Sequence, residues 1–379
     1  MPVMDTAPGP VARIDGREVL YFAGTGYLGL QGDARVIEAG CAALRSHGLH
    51  AATTRTGFGE TALLQDVERL AAGFMGTESA LYYASGYPGM GMLAQAGAGS
   101  VALVLADEWL HLAGQDAARL IGAPVKTFRH GDPEDLRRRL RACKGRGRVL
   151  VMCDGVSPVR GDIAPIHDYL EVLADHPEAR LMIDDAHGLG VLGQNGRGSV
   201  EYAADTSGLP IALNPGFDDP PHRSVWLCGT LSKAVGGWGG MIAGSAGFID
   251  RLRDRSNWFQ GAAACPAPAA GATAEALRIC RDEPELRSRL VRNVRQARIG
   301  LRGLGLELED LPTPILCVRI GGRETMASLQ RELLADSIAI AHSRNYPGVD
   351  DDGALRIAIF AMHTPDMIDE LVGSLRSKL

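Results

Sequence analysis

Long apolar runs are missing from this sequence. No stretch of about 18 apolar residues occurs, so no transmembrane helix is expected. The opening residues, MPVMDTAPGPVARIDG, lack a basic segment followed by an apolar core. No secretory leader is read there, and the cytoplasm is the expected compartment. A basic surplus is missing too: 39 Lys and Arg face 45 Asp and Glu, a formal net charge of −6. Nothing forms the clustered basic face that nucleic acid requires. The dense basic run Arg137-Arg138-Arg139 lies in DPEDLRRRLRACKGRGR, an amphipathic stretch that reads as a solvated helix face. Paired cysteine spacing is also absent. Cys41, Cys143, Cys153, Cys228, Cys265, Cys280 and Cys317 are scattered, with no CxxC. That argues against a disulfide framework or a zinc site, and leaves small buried hydrophobes in a reducing compartment.

What is present is a regular alternation. The chain has 379 residues, 46% of them hydrophobic, enough for two or three domains. From about residue 66 to 245, short apolar runs alternate with longer helical patterns. The strand candidates are ALYYAS (80–85), VALVLA (101–106), VKTFRH (125–130), RVLVMCD (148–154), RLMIDD (180–185) and VWLCG (225–229). They are continuously apolar, as expected of a mostly parallel α/β sheet covered on both faces. Ligands of such sheets sit beyond the carboxyl ends of the strands. The Pro/Gly/Asp-rich region 201–224 reads as one long loop, and two prolines interrupt the helical pattern at 262–270. From about 285 the character changes to a charged helix, two strands (PILCVRI, LRIAIFA) and a last helix. The expected division is an N-terminal segment (1–45) packing with a small C-terminal α/β domain (285–379), and a large domain (46–284) between them.

The strand ends hold residues with chemical potential. Lys233 follows VWLCGTLS and precedes the glycine-rich AVGGWGG. A lysine there can form a Schiff base with a carbonyl cofactor, or it can be an ordinary solvated loop lysine. Asp184 ends an apolar strand, where an unpaired carboxylate is costly. It suits a pyridinium nitrogen, or alternatively a cap or loop position. His187 lies three residues on. Ser85-Gly86-Tyr87 closes a strand and opens a helical stretch, a geometry that can offer backbone N–H groups to a phosphate or be a plain strand–helix turn.

Two blocks, IDDAHGLGVLGQNGRGS around Asp184 and CGTLSKAVGGWGG around Lys233, resemble the signature blocks of the α-oxoamine synthase family. GYLGL (26–30), the Arg55 to Glu68 stretch, ASGYPGMGML, DEWLHLAGQDAARL, CDGVSPVRGDIAP and LRIAIFAMHT resemble further blocks in the same order. The resemblance implies a fold-type I enzyme dependent on pyridoxal 5'-phosphate (PLP), with a large seven-stranded-type, mostly parallel sheet and a homodimer with interfacial sites. It implies that Lys233 carries the cofactor and shuttles the Cα proton, and that Asp184 binds the pyridine nitrogen. His187 would contact the 3'-oxygen or the substrate carbonyl, and His111 would stack on the ring. Ser85, Gly86 and Tyr87 would hold the phosphate with Thr230 nearby, and Arg356 would clamp the amino acid carboxylate. Departures from the family pattern fall at Gly26, Leu64, Leu110, Pro158, Ala262 and Ala263.

The implied reaction is condensation of a small amino acid with an acyl thioester, with loss of CO2, to an α-amino ketone. Other PLP chemistry on an amino acid, such as transamination or decarboxylation, is the alternative that the departures motivate. A non-catalytic PLP-binding scaffold is the alternative of another kind.

Overall fold

The computed structural model describes residues 2–379 except 98, 100, 144, 146 and 218–222. Its strands are β1 (Val11–Ile14), β2 (Arg17–Tyr21), β3 (Ser79–Tyr83), β4 (Val101–Asp107), β5 (Val125–Phe128), β6 (Arg148–Asp154), β7 (Ala179–Asp184), β8 (Ala212–Leu213), β9 (Ser224–Thr230) and β10 (Gly240–Gly244). The later ones are β11 (Ile315–Val318), β12 (Ile338–Ala339), β13 (Ala341–Ser343) and β14 (Ala354–Ala358). All six apolar runs picked out above became strands of one sheet. Its order is β3-β10-β9-β7-β6-β4-β5, with β8 paired to β9. The β4, β5, β6, β7, β8 and β9 pairings are parallel, and only β10 runs antiparallel to its two neighbours.

Burial on both faces explains the unbroken apolar runs. Alternate residues of each central strand enter opposite core layers. Leu150, Met152 and Met182 join one layer with Met90, Leu93, Phe248 and Leu252 of the helices on that side. Val149, Val151, Leu181 and Ile183 join the other with Leu136, Tyr169 and Val200. At the carboxyl edge the strands are level: Asp154 pairs in register with Asp184, and Asp184 with Cys228. Three strand ends therefore present side chains at one height.

Two expectations needed correction. The region 201–224 is not one loop: a helix spans Ser199–Ser207, closed by left-handed Gly208 at φ 69°, and β8 follows. The Pro, Gly and Asp content that suggested a loop belongs to the second half of that window, and its residues 218–222 lie outside the described ones. The strand β10 was not anticipated. Its sequence, GMIAG, is short and glycine-bounded, and it is fixed by pairing with β3 rather than by its own propensity. The basic run forms the helix Pro133–Arg141, with Asp132 capping its start, as expected. Its continuation reaches Lys144 and Arg146, outside the described residues. No helix among the described residues is long and apolar enough to cross a membrane.

Two smaller sheets complete the chain, β1-β2-β12 and β11-β14-β13. The backbone N–H groups of Ala358 and Ala361 donate to Phe22 O and Tyr27 O, both at 2.7 Å. These bonds clip the N-terminal segment against the strand that carries Arg356.

Candidate active site

At the carboxyl edge of the large sheet lies a cavity of about 320 Å³. Of the nine residues singled out in the sequence, Ser85, Gly86, Tyr87, His111, Asp184, His187, Thr230 and Lys233 line it. Arg356 does not line it, but bonds to the lining Pro158 and, through Tyr27, to the lining His187. The strand–loop junctions account for this convergence. Asp184 ends β7, Thr230 ends β9, and Lys233 follows three residues later in a turn closed by Gly236 at φ 75°. A Cβ at Gly236 would come within 2.6 Å of Leu30, so only glycine lets the Lys233 turn pack on the N-terminal segment.

Lys233 Nζ lies 2.8 Å from His187 Nε2, and His187 Nδ1 lies 2.8 Å from the Tyr27 hydroxyl. Arg356 Nη2 donates to that hydroxyl at 2.9 Å, Nη1 to Gly24 O at 2.9 Å, and Nε to Pro158 O at 2.8 Å. Every acceptor around Arg356 is neutral. Among the described residues no carboxylate pairs with this buried guanidinium, so it is not held there as half of an ion pair. A buried cation with only neutral acceptors is suited to an incoming carboxylate.

Asp184 is the converse case. It is buried, and Ala186 N donates to its Oδ1 at 3.0 Å. Among the described residues it has no cationic partner in ion-pair contact. Burial raises its pKa, with the Lys233 charge opposing. Asp154, level with it on β6, is raised well above the usual carboxylate range by burial and by Asp184. Burial also pushes the Lys233 amine down to about 8, against Asp184 and Asp154. Burial and Lys233 together hold His111 at about 4, so its ring is neutral.

The turn Ser85-Gly86-Tyr87 lies at the amino end of the helix Gly89–Gly97. Tyr87 N donates to Ser85 Oγ at 3.2 Å, while the Tyr87 hydroxyl donates to Asp116 Oδ2 at 2.7 Å and so points out of the cavity. What Tyr87 offers the cavity is its backbone and its ring, which lies edge-on to His111 at 6.4 Å between centroids. A Cβ on Gly86 would sit 2.8 Å from Thr230 Cβ, so this turn closes against Thr230 only as glycine. The Thr230 hydroxyl donates to Gly239 O at 2.8 Å.

Three residues of the site were not singled out in the sequence. Tyr27 was visible within GYLGL but carried no assigned role. Asp154 ends an anticipated strand and was open to the same strand-end reasoning as Asp184; its backbone partner is His111, whose N–H donates to Asp154 Oδ2 at 2.8 Å. Tyr346, 5.7 Å from the His111 ring, gave no local signal. The departures divide in two. Pro158 lines the cavity, Leu110 is buried beside His111, and the space beside Gly26 is filled by Gln31. Leu64 is buried in the helix Ala62–Met75, and Ala262 and Ala263 are exposed away from this cavity.

The cavity has an amine on one wall, a buried carboxylate lacking a cationic partner on another, an imidazole ring beside them, and a helix amino end at one side. A planar ligand with a carbonyl, a protonated ring nitrogen and a phosphate satisfies all four. PLP is such a ligand, and fold and site together define a PLP-dependent transferase of fold type I. The aminotransferase class I and II family model matches residues 17–375. A putative 8-amino-7-oxononanoate synthase of Gloeobacter violaceus is 34% identical over 368 residues, covering 97% of this chain and 90% of the relative. The 8-amino-7-oxononanoate synthase of Nitrosococcus oceani is 34% identical over 373 residues, covering 98% and 95%. Serine palmitoyltransferase from S. paucimobilis, solved with PLP and myriocin bound, superposes with a TM-score of 0.90 at 27% identity, covering 100% of this chain and 92% of that one. The chain belongs to the α-oxoamine synthase family.

Proposed function

We propose that this protein condenses a small amino acid with an acyl thioester, releasing CO2 and the free thiol and leaving an α-amino ketone. The observation that carries the reading is the buried Arg356 guanidinium. It has no carboxylate partner among the described residues, and it is joined to Lys233 through Tyr27 and His187. It is placed to take the α-carboxylate of an amino acid whose amino group lies at the Lys233 end.

PLP, when bound, supplies an electron sink for charge developing at the amino acid Cα. The protein does the rest. The Lys233 amine, lowered toward neutrality by burial, removes and returns the Cα proton. The Asp184 carboxylate offsets the charge on a protonated ring nitrogen in a dry wall, where such pairing is strong. His111 would cover the face of the cofactor ring, and Ser85, Gly86, Tyr87 and Thr230 would hold its phosphate. His187 Nε2 is directed at the reacting centre from the Lys233 side.

Exposed apolar residues support a homodimer: Trp238, which lines the cavity, is 54% exposed, and Phe58, in the turn after Arg55, is fully exposed at a left-handed φ of 74°. We propose that a second copy covers these residues, and that residues 1–45, 46–284 and 285–379 are the structural divisions. Seven free cysteines support a reducing, cytoplasmic setting.

The test is to supply the holoenzyme with each small amino acid and an acyl thioester, carried on CoA or on a carrier protein. The expected result is thiol and CO2 in equal amounts. Turnover with an oxo-acid and no thioester would instead identify an aminotransferase.

A further inference from the structure

Donor chemistry alone fixes the direction of the buried chain that joins Arg356 to Lys233. A guanidinium can only donate, so the 2.9 Å contact runs from Arg356 Nη2 to Tyr27 Oη. Tyr27 is fully buried and has one proton to give. Its remaining partner is His187 Nδ1 at 2.8 Å, so the hydroxyl donates to Nδ1. A neutral imidazole carries a single N–H, which must then be on Nε2. That N–H faces Lys233 Nζ at 2.8 Å. An ammonium has no lone pair to receive it, whereas a neutral amine does.

We infer that Tyr27 is a positioning residue, which fixes His187 as its Nε2–H tautomer and so favours the free-amine form of Lys233, the form that attacks a carbonyl. The inference rests on the reading of Lys233 as the cofactor lysine. The charges facing the pair are Asp184 and Asp154, which favour the ammonium, and Arg356, which disfavours it, while His111 faces His187. At Lys233 burial outweighs the two carboxylates and leaves the amine at about 8, whereas at His187 burial and the Lys233, Arg356 and His111 charges act together and hold it well below its usual value. Without the Tyr27 hydroxyl, nothing among the described residues donates to Nδ1. The imidazole proton is then free to move to Nδ1, and Nε2 can accept from the Lys233 ammonium. The positively charged form gains a partner, and the amine becomes harder to deprotonate.

The test uses the full chain freed of cofactor and PLP itself as the probe. The Lys233 amine adds to the aldehyde carbon, a C=N bond replaces C=O, and water leaves, so only the unprotonated amine reacts. The rate of appearance of the visible cofactor band is followed against pH. The wild-type rate is expected to rise through about pH 8 to a plateau. In Tyr27→Phe the midpoint should move up by about one pH unit or more, lowering the rate at neutral pH roughly tenfold, with the high-pH plateau within about twofold. An unmoved midpoint, whatever happens to the plateau, overturns the inference. Lys233→Ala should not react; wild-type reaction of that variant would overturn the Lys233 reading instead. Independently of how the variants fold, ¹⁵N NMR of histidine-labelled wild-type chain reads the tautomer directly, with the His187 signal identified by its loss in His187→Gln. A protonated Nε2 and bare Nδ1 is the expected pattern, and a protonated Nδ1 would refute the proposal.

Discussion

Arg356→Ala is the perturbation that most sharply separates a substrate clamp from a packing arginine. The native guanidinium donates to Gly24 O, Pro158 O and the Tyr27 hydroxyl. Removing it leaves three acceptors without that donor, which costs about 1–3 kcal/mol for each that stays dry. The site adjoins a cavity, so water re-entering the space should keep the loss of stability near the low end. The effect on substrate is larger. Loss of a desolvated charge partner for a carboxylate costs roughly 2–5 kcal/mol, or about 30-fold to several thousandfold in affinity. Arg356→Lys should restore part of this only, because an ammonium cannot form the bidentate fork. The assay is titration of each holoenzyme with the best amino acid, followed by the cofactor's visible absorbance. The spectrum before titration should be that of the wild type in both variants. Unchanged amino acid affinity in Arg356→Ala would move the carboxylate site elsewhere and remove the main support for the condensation.

Three further outcomes follow from the geometry. Asp184→Asn keeps the shape of the wall and removes its charge, so cofactor should still bind while Cα proton exchange, measured as deuterium uptake into the amino acid, slows by about two orders of magnitude or more. Gly86→Ala places a methyl group 2.8 Å from Thr230 Cβ, and equilibrium dialysis should find PLP affinity reduced, by about 1–3 kcal/mol, in a chain with native circular dichroism. His130, between Asp107 Oδ1 at 3.0 Å and Asp162 Oδ2 at 3.5 Å, is raised to about 9. Burial works against that rise and the two carboxylates produce it. A group with a raised folded pKa stabilises fully below its unfolded value, near 6.5, and loses the contribution as pH climbs through the folded one. The unfolding free energy from urea titration should therefore fall between pH 6.5 and about 9, by at most about 3 kcal/mol, and His130→Gln should flatten that window; an equal slope in the variant would assign it to another group.

The large sheet was legible because its strands are buried on both faces, which writes each one as an unbroken apolar run such as VALVLA or RVLVMCD. The polar residues that end those runs marked the site for the same reason: Asp184 after RLMI stands out because apolar strands seldom tolerate a carboxylate. β10 was not legible, since GMIAG has no propensity of its own and takes its shape from β3. The helix Ser199–Ser207 was hidden by averaging over a window whose later half is rich in Pro and Gly. Tyr27 and Tyr346 belong to another class. Their positions depend on how the N-terminal segment and the β13–β14 region fold over the strand ends, contacts of more than 150 residues' separation that local sequence does not record. The direction of the Arg356–Tyr27–His187–Lys233 chain required the actual distances, because sequence gives residue types and not which nitrogen faces which oxygen.

The central claim is that the Lys233 amine, at the head of the strand-end cavity, carries the cofactor. Reducing the holoenzyme with borohydride and mapping the fixed pyridoxyl group by peptide mass spectrometry tests it most directly. The label is predicted on the peptide containing Thr230, Leu231, Ser232 and Lys233, with Lys233 as the modified residue. A label on Lys126 or Lys378, or no covalent label in a protein that retains the visible band, would contradict the account.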